Sequence, residues 1–162
     1  MKKICFITTS RADFGMIKII VDETLKNKKY FKTFLLISGN HNDSFFGKSL
    51  KEIQFKKGLK IVKAFSNQRN KNSLSVLLSF SSFLKKYSKS LKKINPDIFV
   101  TFGDRYEMLA ATISAYILKI PIVHIAGGEK TSGSLDEGFR HSITKLSNLH
   151  FPTSNKYRKR II

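Results

Sequence analysis

Aspartate, glutamate, arginine and histidine gather in one stretch, 97–140, which reads DIFVTFGDRYEMLAATISAYILKIPIVHIAGGEKTSGSLDEGFR. Asp104 and Arg105 follow Gly103 at the end of one apolar run. His124, Gly127, Gly128 and Glu129 follow a second, and Asp136, Glu137 and Arg140 come shortly after. Carboxylates brought close together raise one another's pKa, so Asp104, Glu129 and Asp136 could divide into an acid and a base. His124 and Glu129 are groups able to move protons. Arg105 carries a planar fork that suits a diphosphate, and Gly103, Gly127 and Gly128 would let the backbone pass close to a ligand. Each has a plainer reading: Asp104 is a good helix N-cap, and Asp136 with Arg140, spaced i to i+4, suits an intrahelical ion pair worth a few tenths of a kcal/mol.

Two further polar groups follow apolar runs nearer the start. Thr9, Ser10, Arg11, Ala12 and Asp13 lie between a β-rich run and a helical pattern. A helix start there would offer free backbone N–H groups and a positive dipole end to a phosphate, with Arg11 as an added donor. Helix capping and a local ion pair is the competing reading of Arg11 and Asp13. Ser38, Gly39, Asn40 and His41 follow the next run, where His41 could touch a ligand, although a lone loop histidine is more often simply exposed.

These groups need a scaffold that brings strand ends together. Residues 4–8, 34–37, 59–64, 97–102, 121–125 and 150–152 read as strands. Phe14, Ile17, Ile20, Val21 and Leu25 recur at helical spacing, and 107–118, 135–146 and the basic tail from 153 are also helical. The longest helical pattern is 74–94, with Leu74, Leu77, Leu78, Phe80, Phe83, Leu84, Tyr87, Leu91 and Ile94 assigned to the core and lysines opposite; Asn95 and Pro96 end it. A short helix is expected within 44–54, and 66–72 reads as polar and mobile. Alternation of strand and helix with short links predicts an α/β doubly wound parallel sheet, Rossmann-like, with right-handed crossovers. In such a sheet, residues past the carboxyl ends of neighbouring strands share one crevice.

A chain of 162 residues, 41% hydrophobic and 25% charged, fits one domain with a real core. Its net charge of +19 invites an anionic partner, but the lysines are spread along the chain and read as a solvated surface, against a nucleic-acid footprint. Cys5 is the only cysteine, which excludes an internal disulfide and fits a reduced compartment. No stretch reaches the roughly 18 apolar residues of a membrane span. The expected location is cytoplasmic, with no membrane partner.

The segments TTSRADFG, FGDRYEMLAA, PIVHIAGGEKTSGSLDEGFRHSITKLSNLHF and SNKYRKRII closely resemble the N-terminal half of the hydrolysing UDP-N-acetylglucosamine 2-epimerases of sialic-acid and related nonulosonic-acid biosynthesis. The resemblance runs over essentially the whole chain. It implies the N-terminal domain of a GT-B-type enzyme, in which two Rossmann-like domains hold a nucleotide sugar between them. Such enzymes expel UDP through a 2-acetamidoglucal intermediate and add water to give N-acetylmannosamine. The resemblance implies that Arg11 and Arg105 contact the UDP phosphates, with Ala12 beside them. Asp104, Glu129 and Asp136 would supply acid and base functions at sugar carbon 2 and at the departing anomeric oxygen, and His124 and Arg140 would position the sugar or those carboxylates. No metal or redox cofactor is expected, and a homo-oligomer is compatible.

Some relatives carry a glutamate at the third position of the HIxGGE segment, where this chain has Ala126; Glu129 takes over the candidate role. Family members run to about twice this length, in keeping with two domains of ~100–200 residues. The expectation is therefore that 1–162 forms a single Rossmann-like domain without the C-terminal nucleotide-binding domain, inactive alone. The alternatives are a non-catalytic nucleotide- or nucleic-acid-binding module and a non-hydrolysing epimerase; GDRYE and RHSITK lean away from the latter.

Overall fold

The computed structural model describes residues 1–42, 53, 56–65 and 72–162. Strands β1 (Lys2–Thr8), β2 (Phe31–Ile37), β3 (Lys60–Lys63), β4 (Ile98–Phe102), β5 (Ile122–Ile125) and β6 (Leu149–Phe151) form one sheet in the order β3-β2-β1-β4-β5-β6. Every pairing is parallel. Among the described residues the helices are α1 (Arg11–Lys26), α2 (Ser73–Ile94), α3 (Tyr106–Ile117), α4 (Leu135–Leu146) and α5 (Asn155–Ile161), with a 3-10 turn at Gly39–Asn42. The helix expected within 44–54 falls almost wholly outside the described residues, as does nearly all of 66–72.

Period-two alternation along the strands builds two core layers. Cys5 and Ile7 of β1 pack with Phe83, Tyr87 and Leu91 of α2, Met108 and Ala111 of α3 and Ile143 of α4. Ile4 and Phe6 turn to the other face, against Phe14, Ile17 and Val21 of α1. Strands covered on both faces are near-continuously apolar, and β4 reads IFVTF with Thr101 its one polar residue. Each side chain as fully buried as Phe99 or Leu36 contributes about 1.5–3 kcal/mol.

The core assignment of α2 needs correcting at one end. Phe83, Tyr87, Leu91 and Ile94 are buried as expected, but Leu74, Leu77 and Leu78 are 64%, 65% and 51% exposed. Helix length explains this. The 22 residues of α2 span about 33 Å at 1.5 Å each, whereas β1, with 7 residues, spans about 23 Å. The first turns of α2 therefore overhang the carboxyl edge of the sheet. At its other end Asn95 adopts the left-handed conformation, φ 47°, and its N–H returns to Leu91 O at 2.7 Å, a helix stop that the following proline reinforces.

The strand order reverses between β1 and β4, since the chain winds outward from β1 to β3 and then restarts beside β1. That switch point opens a crevice at the carboxyl edge, flanked by the β1–α1 and β4–α3 junctions.

Candidate functional site

At the β1–α1 junction, Ser10 caps α1 in a capping box with Asp13: Ser10 Oγ accepts from Asp13 N at 3.3 Å, and the Asp13 carboxylate accepts from Ser10 N at 3.0 and 3.1 Å. The buried Asp13 carboxylate also accepts from Thr9 N at 3.0 Å, from Thr9 Oγ1 at 2.8 Å and from the Thr8 hydroxyl. The N–H groups of Thr9 and Ser10, just before the helix start, are thus taken by a carboxylate of the chain itself. Arg11 and Ala12 lie exposed on the outside of this turn.

His41 is fully buried, contrary to the exposed position usual for a loop histidine. Its Nε2 is 2.8 Å from Thr8 Oγ1. With the Thr8 hydroxyl donating to Asp13, His41 Nε2 is the donor in that contact. Burial lowers the His41 pKa, an effect the nearby Asp13 charge partly offsets. A chain of contacts, His41 to Thr8 to Asp13, ties the end of β2 to the start of α1.

Across the switch point, Gly103 ends β4 with φ 72°, and a Cβ there would meet nothing within 4 Å. Space is left for a ligand above this turn. The N-cap of α3 is Arg105 and makes no side-chain cap; Asp104, expected as a possible cap, instead pairs with Arg140 of α4. Arg105 is forked onto Glu107 of its own helix, Nη2 to Oε1 at 2.9 Å and Nε to Oε2 at 3.2 Å. Burial would lower the Arg105 pKa, but the hydrogen bond and charge of Glu107 outweigh it and the net shift is upward.

Arg140, 5% exposed, is the hub of the β4 and β5 ends. It holds Asp104 Oδ2 through Nη2, and its Nη1 donates to Glu129 O and to Thr131 Oγ1, both at 3.0 Å. The intrahelical Asp136–Arg140 pair allowed by spacing is replaced by this longer-range one. Among the described residues the Asp136 side chain has no hydrogen-bonding or ionic partner, although its N–H is capped by Ser134 Oγ at 3.2 Å. Glu129 Oε1 accepts from Thr153 Oγ1 at 2.7 Å. All three carboxylates are half-buried, and each keeps at least one oxygen unbonded among the described residues.

His124 is fully buried beneath them. Its Nε2 lies 2.8 Å from Gly103 O, which can only accept, so Nδ1 is the acceptor for Thr144 Oγ1 at 3.1 Å. Burial pushes its pKa down to about 4. From β5, His124 thus bridges the β4 turn to Thr144 of α4 as a neutral ring. Gly127 and Gly128 also serve the protein's own packing: a Cβ on Gly127 would sit 2.8 Å from His124 Nδ1, and one on Gly128 would sit 2.7 Å from Tyr157 O of α5. Arg160 of α5 adds a bond to Gly128 O at 2.9 Å. Glu107, Thr8, Asp13, Thr144, Thr153 and Arg160 are the supporting residues that sequence reasoning left without a site role. GDRYE did contain Glu107, but helical periodicity reads i and i+2 as facing apart.

A parallel sheet in the order 3-2-1-4-5-6, with polar groups gathered at its carboxyl edge, defines a Rossmann-like domain of the kind that takes ligands at the switch point. The sequence model described as UDP-N-acetylglucosamine 2-epimerase matches residues 23–162, and the chain belongs to that family. It is 35% identical over 162 residues to the GDP/UDP-N,N'-diacetylbacillosamine 2-epimerase (hydrolyzing) of Campylobacter jejuni, covering 99% of this chain and 41% of that one. It is 34% identical to the polysialic acid biosynthesis protein P7 of Escherichia coli, again covering 41% of the relative. Among solved structures, the UDP-GlcNAc 2-epimerase of Neisseria meningitidis bound to UDP-GlcNAc superposes with a TM-score of 0.81 at 18% identity, over 98% of this chain and 42% of that one. MurG of Acinetobacter baumannii gives a TM-score of 0.62 at 13% identity over 95% of this chain. The chain therefore spans about two-fifths of the length of the curated relatives it matches.

Proposed function

We propose that residues 1–162 form one wall of the substrate crevice of a hydrolysing UDP-N-acetylglucosamine 2-epimerase, the opposite wall being the part of its relatives that the chain does not span. Arg11 and Arg105, on either side of the switch point, contact the diphosphate, with Ala12 alongside. One carboxylate among Asp104, Glu129 and Asp136 takes the proton from sugar carbon 2 as the bond from carbon 1 to the UDP oxygen breaks, leaving a double bond between carbons 1 and 2. Water then adds at carbon 1, and a second carboxylate returns a proton to carbon 2 from the opposite face, giving N-acetylmannosamine. Arg140 and His124 hold the carboxylates in place, and His41 acts through Thr8.

The observation that carries this reading is the Arg140 hub, which joins the Asp104 carboxylate to the Glu129 turn and leaves oxygens available for proton transfer. The names of the Campylobacter relative and of a Legionella pneumophila relative, 32% identical, favour a second substrate in the same chemistry: a UDP sugar with acetamido groups at carbons 2 and 4. The single buried thiol, Cys5, supports a reducing, cytoplasmic setting, and the product would feed nonulosonic acids of a surface glycan. Among the described residues no helix is long and apolar enough to cross a membrane.

The test supplies the C-terminal portion of the Campylobacter relative in trans and follows UDP release from both UDP sugars. The expected result is release of UDP and the free 2-epimerised sugar by the pair, and none by residues 1–162 alone. A UDP-linked epimer as product would make the reaction non-hydrolysing; no turnover of either sugar by the pair would sink the proposal.

A further inference from the structure

Arg105 stands on the β4 side of the switch point, and the way it is held points to an unassigned role for Glu107. Side chains two residues apart on a helix project in different directions and do not meet. Arg105 and Glu107 meet because Arg105 is the N-cap, with extended backbone angles of φ −65° and ψ 150°, so its side chain can fold back over the first turn of α3. The resulting contact is a two-point fork along the Nε–Nη2 edge of the guanidinium. Glu107 lies beneath, its side chain 2% exposed, while that of Arg105 is 38% exposed. Packing therefore fixes the carboxylate, and the carboxylate fixes the arginine. Among the described residues Nη1 donates to nothing, so the corner of the guanidinium left over is the one a ligand would meet.

We infer that Glu107 is a positioning residue: it locks Arg105 by its Nε–Nη2 edge and leaves Nη1 to bind the diphosphate of a nucleotide at the switch point. This rests on the nucleotide-sugar reading above. A long side chain frozen before the ligand arrives loses less rotamer freedom on binding, which raises affinity without any contact between Glu107 and ligand.

The experiment measures binding of UDP by calorimetry to the 162-residue chain joined in trans by the C-terminal portion of the Campylobacter relative, with the native sequence, Glu107→Gln, Arg105→Gln or both. Glu107→Gln keeps the side-chain shape and removes the charge, while Arg105→Gln shortens the side chain and removes the guanidinium. Glu107→Gln is expected to weaken UDP binding roughly 10-fold when Arg105 is present and by less than about twofold when residue 105 is already glutamine. An equal loss in both backgrounds, or none in either, overturns the inference, because a purely structural glutamate acts regardless of residue 105. The ligand-free chain supplies an independent readout, the Arg105 Nε–H resonance. It is expected to be shifted downfield and slow to exchange in the native chain and to join the exposed arginines in Glu107→Gln; an unchanged signal overturns the inference. If the native pair fails to bind UDP while the resonance of the ligand-free 162-residue chain behaves as expected, the nucleotide reading falls and the positioning of Arg105 stands.

Discussion

Asp13 and Asp136 are both acidic residues in the first turn of a helix that follows a strand, yet their surroundings differ in kind. Asp13 is buried and accepts from Thr8, Thr9 and Ser10. Asp136 is half-buried, and its side chain has no partner among the described residues. A carboxylate whose lone pairs are consumed by its own loop fixes that loop; one left with open lone pairs at a crevice is available for chemistry. The carboxylate of the β1–α1 junction is therefore spent on bracing its own loop, whereas on the proposed reading the β4 and β5 ends carry the reactive groups, with Arg140 holding Asp104 and the Glu129 turn in register.

The sharpest way to break this contrast is a paired substitution. Asp136→Asn should lower UDP release in the complemented assay by about 10²–10⁴-fold, the usual worth of a general acid or base, with a melting temperature close to the native one. Asp13→Ala should do the opposite in kind, costing about 3 kcal/mol through loss of the capping box and the stranded Thr8, Thr9 and Ser10 donors, read by chemical denaturation. A folded, stable Asp13→Ala protein, or full turnover by Asp136→Asn, would erase the distinction.

Histidine protonation tests the scaffold from within. His124 has its pKa depressed to about 4 by burial, against 6.5 for the free side chain. The unfolded chain thus binds the proton more readily than the native one. The stability contributed by neutral His124 is fully present above pH 6.5, falls as pH drops from 6.5 towards 4 and levels off below that. The loss amounts to about 3 kcal/mol. Burial lowers the His41 and His150 pKa values too, so they act in the same direction. Denaturation midpoints measured between pH 7 and 4 should decline in the native chain and decline less in His124→Gln. Equal slopes would remove His124 from the brace.

Much of this scaffold was legible in the sequence, and the failures have physical causes. Strand and helix alternation gave the doubly wound sheet, because a short apolar run such as β4, bounded by Pro96 and Gly103, fits a strand buried on both faces. The same residues could not tell Asp104 the cap from Asp104 the partner of Arg140, since that contact spans 36 positions and only the fold sets it. Periodicity also overreached at Leu74, Leu77 and Leu78: it marks the apolar face of α2 but not where the sheet beneath that face ends. The polar contacts of His41 and His124 were hidden for the same reason, as burial of a loop residue depends on neighbours distant in sequence.

Glycines extend the contrast to the smallest scale. Gly103 and Gly128 both have positive φ, 72° and 79°, so alanine at either must adopt a left-handed conformation costing about 1 kcal/mol. Their surroundings then separate them. Nothing lies within 4 Å of a Cβ at position 103, whereas one at 128 would press on the Tyr157 carbonyl and on Ile161. Gly128→Ala should therefore cost about 2–3 kcal/mol, adding a clash with α5 to the backbone strain. Gly103→Ala should stay near 1 kcal/mol and weaken UDP binding, because its methyl group would enter the open space over the β4 turn. Comparable destabilisation by the two substitutions would mean that the β4 turn is as tightly covered as the β5 turn, and the space left for a ligand beside Arg105 would have to be sought elsewhere along the carboxyl edge.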